Sequence, residues 1–123
     1  MFEKSKKDKG NYVDSLGKTN RIVEGTEITG DIEAIADLRI DGVLKGNLKV
    51  NGRVVIGPGS KVFGDIQCEN CDIEGVVEGK VNVIDLVHIK ATGRLKGELT
   101  VGRLAVEPGA LLEASCQMLG EKQ

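Results

Sequence analysis

One apolar pattern returns six times along this chain, at intervals of 16 to 18 residues. Its strongest column of equivalent positions is Ile22, Ile40, Ile56, Ile73, Ile89 and Val106. Apolar and polar residues alternate around these positions, and a period of two places alternate side chains on one face of an extended strand. A repeat of this size cannot bury its apolar face alone, so the pattern predicts short-stranded units that stack on one another.

Four further apolar columns and one column of small residues keep the same register. The apolar columns begin at Asn20, Ile28, Ile32 and Ala34 in the first repeat. The small-residue column is Gly30, Gly46, Gly64, Gly79, Gly97 and Ala114. The spacing between the second and third apolar columns is four or six residues, and both spacings keep the same side chains pointing inward. Because glycine, proline and aspartate in these gaps are bend residues, each repeat is predicted to be three short strands joined by corners.

These columns predict an all-β fold, a single-domain parallel β-helix of about six windings over residues 20–118. Residues 1–19 are predicted to form a flexible leader and residues 119–123 a short flexible tail, because both lie outside the repeats. The competing fold is a left-handed β-helix built on hexapeptide repeats. That fold requires a strict six-residue period with coils of about eighteen residues, whereas the intervals here vary.

The composition limits the classes of function. The formal net charge is −2, so the chain lacks the basic field that predicts nucleic-acid binding. It has no run of roughly 18 apolar residues that could span a bilayer, and its start lacks the apolar core of a signal peptide. The odd number of cysteines, 3, argues against a disulfide framework. We therefore expect a cytoplasmic protein that does not bind nucleic acid.

Three motifs suggest chemistry, and the register offers a structural explanation for each. Cys68 and Cys71 form a CxxC, but a structural zinc site needs four ligands and both cysteines fall in inward columns. His88 is the only histidine and lies between two inward residues, which predicts a position on the surface. The glycines of residues 75–80 miss the spacing of a P-loop. We predict no enzymatic activity, no metal and no cofactor.

The ends of the predicted rod are the first candidate functional sites. A β-helix exposes unpaired strand edges and an apolar cross-section at each end, and neither terminal segment resembles a cap. End-to-end self-association would cover both ends. The predicted polymerisation residues are Ile22, Ile28 and Ile32 at one end and Leu104, Val106, Leu111 and Leu112 at the other. The alternative is a capped monomeric scaffold, in which the terminal segments fold over the ends.

The first ten residues, MFEKSKKDKG, are the second candidate site. The ring of Phe2 can insert into a bilayer while Lys4, Lys6, Lys7 and Lys9 meet anionic headgroups, at about 1 kcal/mol for each lysine. This arrangement predicts membrane targeting, with anionic inner-membrane lipids as the partner. A solvated, disordered leader is the alternative, and the residues leave both open.

With these features in place, the chain resembles the bactofilins, a family of bacterial polymer-forming cytoskeletal proteins. The resemblance rests on the six-row ladder, on the MF-plus-lysine start and on recurring motifs with glycine at the third position. These motifs are ITGDI (28–32), LKGNL (44–48), VFGDI (62–66), VEGKV (77–81) and LKGEL (95–99). The resemblance implies a right-handed, triangular β-helix that polymerises end to end without nucleotide into non-polar filaments. It also implies inner-membrane binding through the N-terminus, and cell-wall enzymes or shape-determining proteins as partners.

We therefore predict a structural protein, a β-helical subunit that associates with itself into a filament. The competing function from another class is an acyltransferase-like trimeric enzyme, which the left-handed fold would imply.

Overall fold

The computed structural model describes residues 19–119, and within them the chain forms twelve β-strands and no helix. The strands are β1 (Thr19–Ile22), β2 (Glu27–Thr29), β3 (Ile32–Ala34), β4 (Asp37–Ile40), β5 (Val43–Lys45), β6 (Leu48–Val50), β7 (Arg53–Ile56), β8 (Lys61–Phe63), β9 (Ile66–Ile73), β10 (Val76–Ile89), β11 (Arg94–Val106) and β12 (Leu111–Met118). The last four strands are longer than the others because each continues around a corner.

Every strand pairing is parallel and joins residues about one repeat apart. The predicted parallel β-helix is therefore confirmed. Its successive windings, here called coils 1 to 6, are residues 19–36, 37–52, 53–69, 70–85, 86–102 and 103–119. Each coil has three faces. In coil 1, β1 lies on the first face, β2 on the second and β3 on the third, and the strands that pair with them in later coils lie on the same faces.

The register reproduces the apolar columns read from the sequence. Ile56, for example, pairs with Ile40 in the coil before it and with Ile73 in the coil after it, and all three are fully buried. One continuous core of 21 buried hydrophobic residues runs along the interior. Since burial of a Val, Leu or Ile side chain stabilises a fold by about 1.5–3 kcal/mol, these columns are the main source of stability.

The glycine column lies where the backbones of successive coils approach most closely. Gly79 has a φ of 149°, and a Cβ at this position would overlap the carbonyl oxygen of Gly64. A larger residue would therefore meet fixed backbone, not a movable side chain. The residues of this column are small because of this contact, and the positive φ is a second reason for glycine at these positions.

The residues that follow the column glycines form hydrogen bonds between successive coils through their side-chain oxygens. The backbone N–H of Asn47 donates to Asp31 Oδ1 at 3.0 Å, and the N–H of Asp65 donates to Asn47 Oδ1 at 3.0 Å. The N–H of Lys80 donates to Asp65 Oδ1 at 3.2 Å in the next coil. These polar residues lie on the outer surface, as the register predicts, and each satisfies a backbone donor that the corner would otherwise leave unpaired.

The third corner, between the third face and the next first face, is irregular in coil 4. Ile84 and Asp85 together lie opposite one residue in each neighbouring coil, Glu69 on one side and Gly102 on the other. A Cβ at Gly102 would lie 2.6 Å from the carbonyl oxygen of Ile84, so the glycine makes room for the bulge. Ile84 follows the buried Val83, so its side chain points outward from the bulge, where 69% of it is exposed.

We expect Gly79→Ala to destabilise the fold severely. The methyl group would be forced into the backbone of the preceding coil, and the positive φ would add about 1–2 kcal/mol of strain. The predicted total loss is about 3 kcal/mol or more in the free energy of unfolding, measured by denaturant titration monitored by circular dichroism.

Gly30→Ala is the matched control, because Gly30 has a similar φ of 132° but nothing lies within 4 Å of the position that an added Cβ would take. It should lose only the strain component, about 1–2 kcal/mol. If the two variants lost equal free energy of unfolding, the close backbone approach would not be the reason for glycine in this column.

Candidate polymerisation faces

Coils 1 and 6 each have one strand edge that no other coil covers within residues 19–119. Between coils, backbone hydrogen bonds form continuous ladders at the corners, such as Glu107 N to Ile89 O at 2.9 Å and Leu111 N to Gly93 O at 3.0 Å. These two bonds join coil 6 to coil 5, and among the described residues the ladders end there. The outer edge of coil 6 therefore presents backbone groups that a further coil could pair.

The C-terminal face, the open side of coil 6, exposes apolar side chains that are buried at equivalent positions elsewhere. Ile89 is fully buried, whereas Val106, the next residue of its column, is 45% exposed. Val101 is fully buried, whereas Met118 above it is 48% exposed. The two members of each pair differ in exposure because one of them lies at the end of the stack, and not because their side chains differ in chemistry.

The N-terminal face, the open side of coil 1, is apolar but more enclosed. Ile22 is 8% exposed, and Ile28 and Ile32 are half-buried while packing against the core. Asn20, the polar member of its column, pairs with Leu38 and is exposed. The two faces thus differ, and the C-terminal face offers more uncovered apolar surface.

The structure places the seven sequence-predicted polymerisation residues in the two end coils. Six of them occupy inward columns: Ile22, Ile28, Ile32, Leu104, Val106 and Leu112. Leu111 pairs with Arg94 in an outward column. Its half-buried side chain therefore points away from the core, on the outer surface of the second face. Cys116 and Met118 also belong to the C-terminal face and were missing from that prediction, although their column positions already marked them.

An ion-pair cluster joins the first two coils near the N-terminal face. Asp41 Oδ2 accepts hydrogen bonds from Arg39 Nε at 2.9 Å and from Arg21 Nε at 3.0 Å. The hydrogen bond from Arg39 is the main cause of a lowered pKa at Asp41, and the pKa of Arg39 is raised in turn. Because the folded pKa of Asp41 is depressed, its contribution to stability is lost as the pH falls through that value. At neutral pH, the carboxylate forms a surface ion pair between coil 2 and Arg21 of coil 1.

The cysteines and the histidine that the sequence offered as candidates for chemistry lie in the core or form contacts between coils. Cys68 and Cys71 are buried in the core, and the hydrogen bond with Cys68, followed by burial, raises the pKa of the Cys71 thiol well above its usual value. A thiol held protonated in this way is a poor nucleophile and metal ligand. His88 is half-buried on the outer surface, where its Nε2 lies 3.0 Å from Glu107 Oε2 in the next coil. Within residues 19–119, no group of three or more His, Cys, Asp or Glu side chains is arranged to hold a metal ion.

The predicted membrane-targeting residues Phe2, Lys4, Lys6, Lys7 and Lys9 lie outside the described residues. Among the residues that the structure does describe, no helix is long and apolar enough to cross a membrane.

Comparison with known proteins gives one family and one relative. The profile of the bactofilins, described as polymer-forming cytoskeletal, matches residues 20–117. Bactofilin BacO of Myxococcus xanthus (strain DK1622) is 29% identical over 91 residues, which cover 74% of this chain and 72% of that protein. No solved structure matches the chain.

The exposure of the three thiols predicts how they react. Cys116 is exposed on the C-terminal face, whereas Cys68 and Cys71 are buried. Dispersed native protein should therefore take up one maleimide per chain within minutes, and denatured protein should take up all three, as counted by intact mass. Rapid addition of three labels to the native protein would contradict the assignment of Cys68 and Cys71 to the core.

Proposed function

Because the chain belongs to the bactofilin family, we propose that its two end faces join successive subunits end to end into a cytoskeletal filament that needs no nucleotide. Bactofilins are structural polymer-forming proteins and not enzymes. The family membership supports self-assembly as such, and the end faces supply its mechanism. The observation that carries this mechanism is the exposure of inward-column side chains in coil 6.

The energetics of this contact favour assembly without an external energy source. Fixing one subunit on another costs about 4–15 kcal/mol in lost translational and rotational freedom. Covering a fully exposed Val, Leu or Met side chain returns about 1.5–3 kcal/mol, and Val106 and Met118, which are about half exposed, return about half of that each. Pairing of the open strand edge adds about 0.5–1.5 kcal/mol for each hydrogen bond. These gains are of the same order as the cost of association, and they need no nucleotide.

The Leu112→Arg substitution should abolish filaments. Leu112 lies in an inward column of coil 6 and packs against the core, so an arginine there would place an unpaired charge in the proposed contact. We expect purified variant protein to remain as small species in negative-stain electron microscopy and light scattering, under conditions in which the wild type forms filaments.

Leu111→Arg is the matched control, because the two leucines are neighbours with similar burial and differ in the direction of their side chains. This variant should still form filaments. Filaments from both variants, or from neither, would contradict the assignment of the contact to the inward columns. A wild-type protein that stays monomeric would instead indicate that the ends are capped.

We further propose that the leader attaches the filament to the cytoplasmic surface of the inner membrane, where it would scaffold cell-wall enzymes or shape-determining proteins. Phe2 and the lysines at positions 4, 6, 7 and 9 support this proposal through their chemistry. The attraction of one leader is weak, at about 1 kcal/mol per lysine. A filament repeats the leader once per subunit, so many weak contacts act together.

Deletion of residues 1–9 should reduce pelleting with vesicles that contain anionic lipid. The physical reason is the loss of both the inserted ring and the charges. Pelleting of the full chain should also weaken in high salt, because headgroup attraction is screened. Equal pelleting of the two proteins with anionic vesicles would remove the leader from the account, and vesicles of neutral lipid serve as the control.

A further inference from the structure

The third corner of coil 2 contains the dipeptide Asn51–Gly52. An asparagine in an exposed corner can lose its side-chain amide without an enzyme, because the backbone nitrogen of the next residue can attack the side-chain carbonyl carbon. Glycine hinders this attack least, since it has no Cβ. Asn51 is the only asparagine in the chain that precedes a glycine.

The corner leaves both reacting groups free. Asn51 is exposed, and no hydrogen bond among residues 19–119 involves its side-chain amide or the backbone N–H of Gly52. The neighbouring Asp37 does not hold that N–H, because its Oδ1 accepts a hydrogen bond from the N–H of Arg53 at 3.0 Å. Neither group therefore has to break a bond within the described fold before it reacts.

The main chain around these free groups is nevertheless fixed by the neighbouring coils. The N–H of Asn51 donates to Ala34 O of coil 1 at 2.9 Å. Gly52 O accepts from the N–H of Glu69 of coil 3 at 3.0 Å. The corner is thus held at both ends, and the atoms that would react lie between the two bonds.

The dipeptide Asp41–Gly42 in the same coil has the opposite arrangement. Aspartate before glycine can undergo the related attack with loss of water. However, Asp41 Oδ2 is held by Arg39 Nε at 2.9 Å and by Arg21 Nε at 3.0 Å, and the hydrogen bond from Arg39 lowers the pKa of Asp41. An ionised carboxylate resists nucleophilic attack. A Cβ at Gly42 would overlap the carbonyl oxygen of Thr26, so the backbone is also tightly packed there.

We propose that Asn51 is a site of spontaneous deamidation in the folded protein. The nitrogen of Gly52 loses its proton to solvent and bonds to Asn51 Cγ, the Cγ–Nδ2 bond breaks, and Nδ2 leaves as ammonia. Water then opens the cyclic imide. Cleavage of the new bond at Cγ gives aspartate, and cleavage at the backbone carbonyl carbon gives isoaspartate. Water is the co-reactant, and no oxidant, cofactor or enzyme takes part.

The isoaspartate product changes the corner more than the aspartate product does. Both add a negative charge beside Lys49, which lines the same groove as Asn51. Only isoaspartate lengthens the main chain, by one carbon atom between the bond to Ala34 O and the bond from the N–H of Glu69 to Gly52 O. Because neighbouring coils fix both partners, the longer chain must strain at least one of these bonds. The change lies on the flank of the rod and does not depend on the proposed end-to-end contact.

Incubation of the native full-length protein in warm, mildly alkaline buffer tests the site. Peptide mass mapping should find the mass gain of deamidation at Asn51, and protein isoaspartate methyltransferase with labelled S-adenosylmethionine should locate isoaspartate at the same position. Asn47, whose Oδ1 accepts a hydrogen bond from the N–H of Asp65, should stay intact. Asp41 should form no isoaspartate. Circular dichroism throughout the incubation establishes that the protein stays folded.

Asn51→Gln is the matched control, because it keeps an exposed amide but would have to close a larger ring, and it should stay unmodified. Freshly purified Asn51→Asp adds the charge without lengthening the chain. Hydrogen exchange at the N–H of Glu69 should be faster in the aged wild type than in either variant, because that bond is strained only by isoaspartate. Native protein that keeps Asn51 while denatured protein deamidates would overturn the proposal, and so would equal modification of Asn47. Equal exchange at Glu69 in the aged wild type and Asn51→Asp would overturn the lengthening of the corner.

Discussion

A coil of this β-helix can pair its backbone and bury its apolar columns only when another coil lies against it. Every inter-coil contact obeys this constraint, from the buried isoleucine column to the close approach of Gly79 to Gly64 O. The interior coils satisfy it on both sides. Coils 1 and 6 satisfy it on one side among the described residues, so the interaction that stabilises the fold is also the one left incomplete at its ends.

This view separates the forces that stabilise the rod from those that align it. Buried columns supply the stability, whereas the ion pairs between coils lie on the surface and are individually worth about 0–1 kcal/mol. Pairs such as Lys45–Glu27 and Arg53–Asp72 join neighbouring coils at fixed positions. Their value lies in penalising a shifted register, in which like charges would meet, and not in holding the coils together.

Much of the fold and of the end faces was predictable from the sequence, because a period of two and an even corner spacing determine which side chains point inward. The same parity explains the limits of that reading. It marked Cys116 as inward but not as exposed, because burial depends on a following coil and not on the column. It also missed the bulge at Ile84, since the third corner differs by one residue between coils and alternation does not extend through it. Likewise, the register predicts that Asp31 and Asp65 lie on the surface, but their hydrogen bonds to the next coil depend on corner geometry that alternation does not encode.

Cryo-electron microscopy of filaments assembled from the purified protein tests the central claim most directly. With coils spaced about 4.8 Å apart, six coils predict an axial rise of about 29 Å for each subunit. The account predicts this rise, together with β-helix density that continues through the subunit junctions and inward side chains that meet there. Filaments in which the end faces remain open to solvent, with subunits joined only through their flanks, would contradict it.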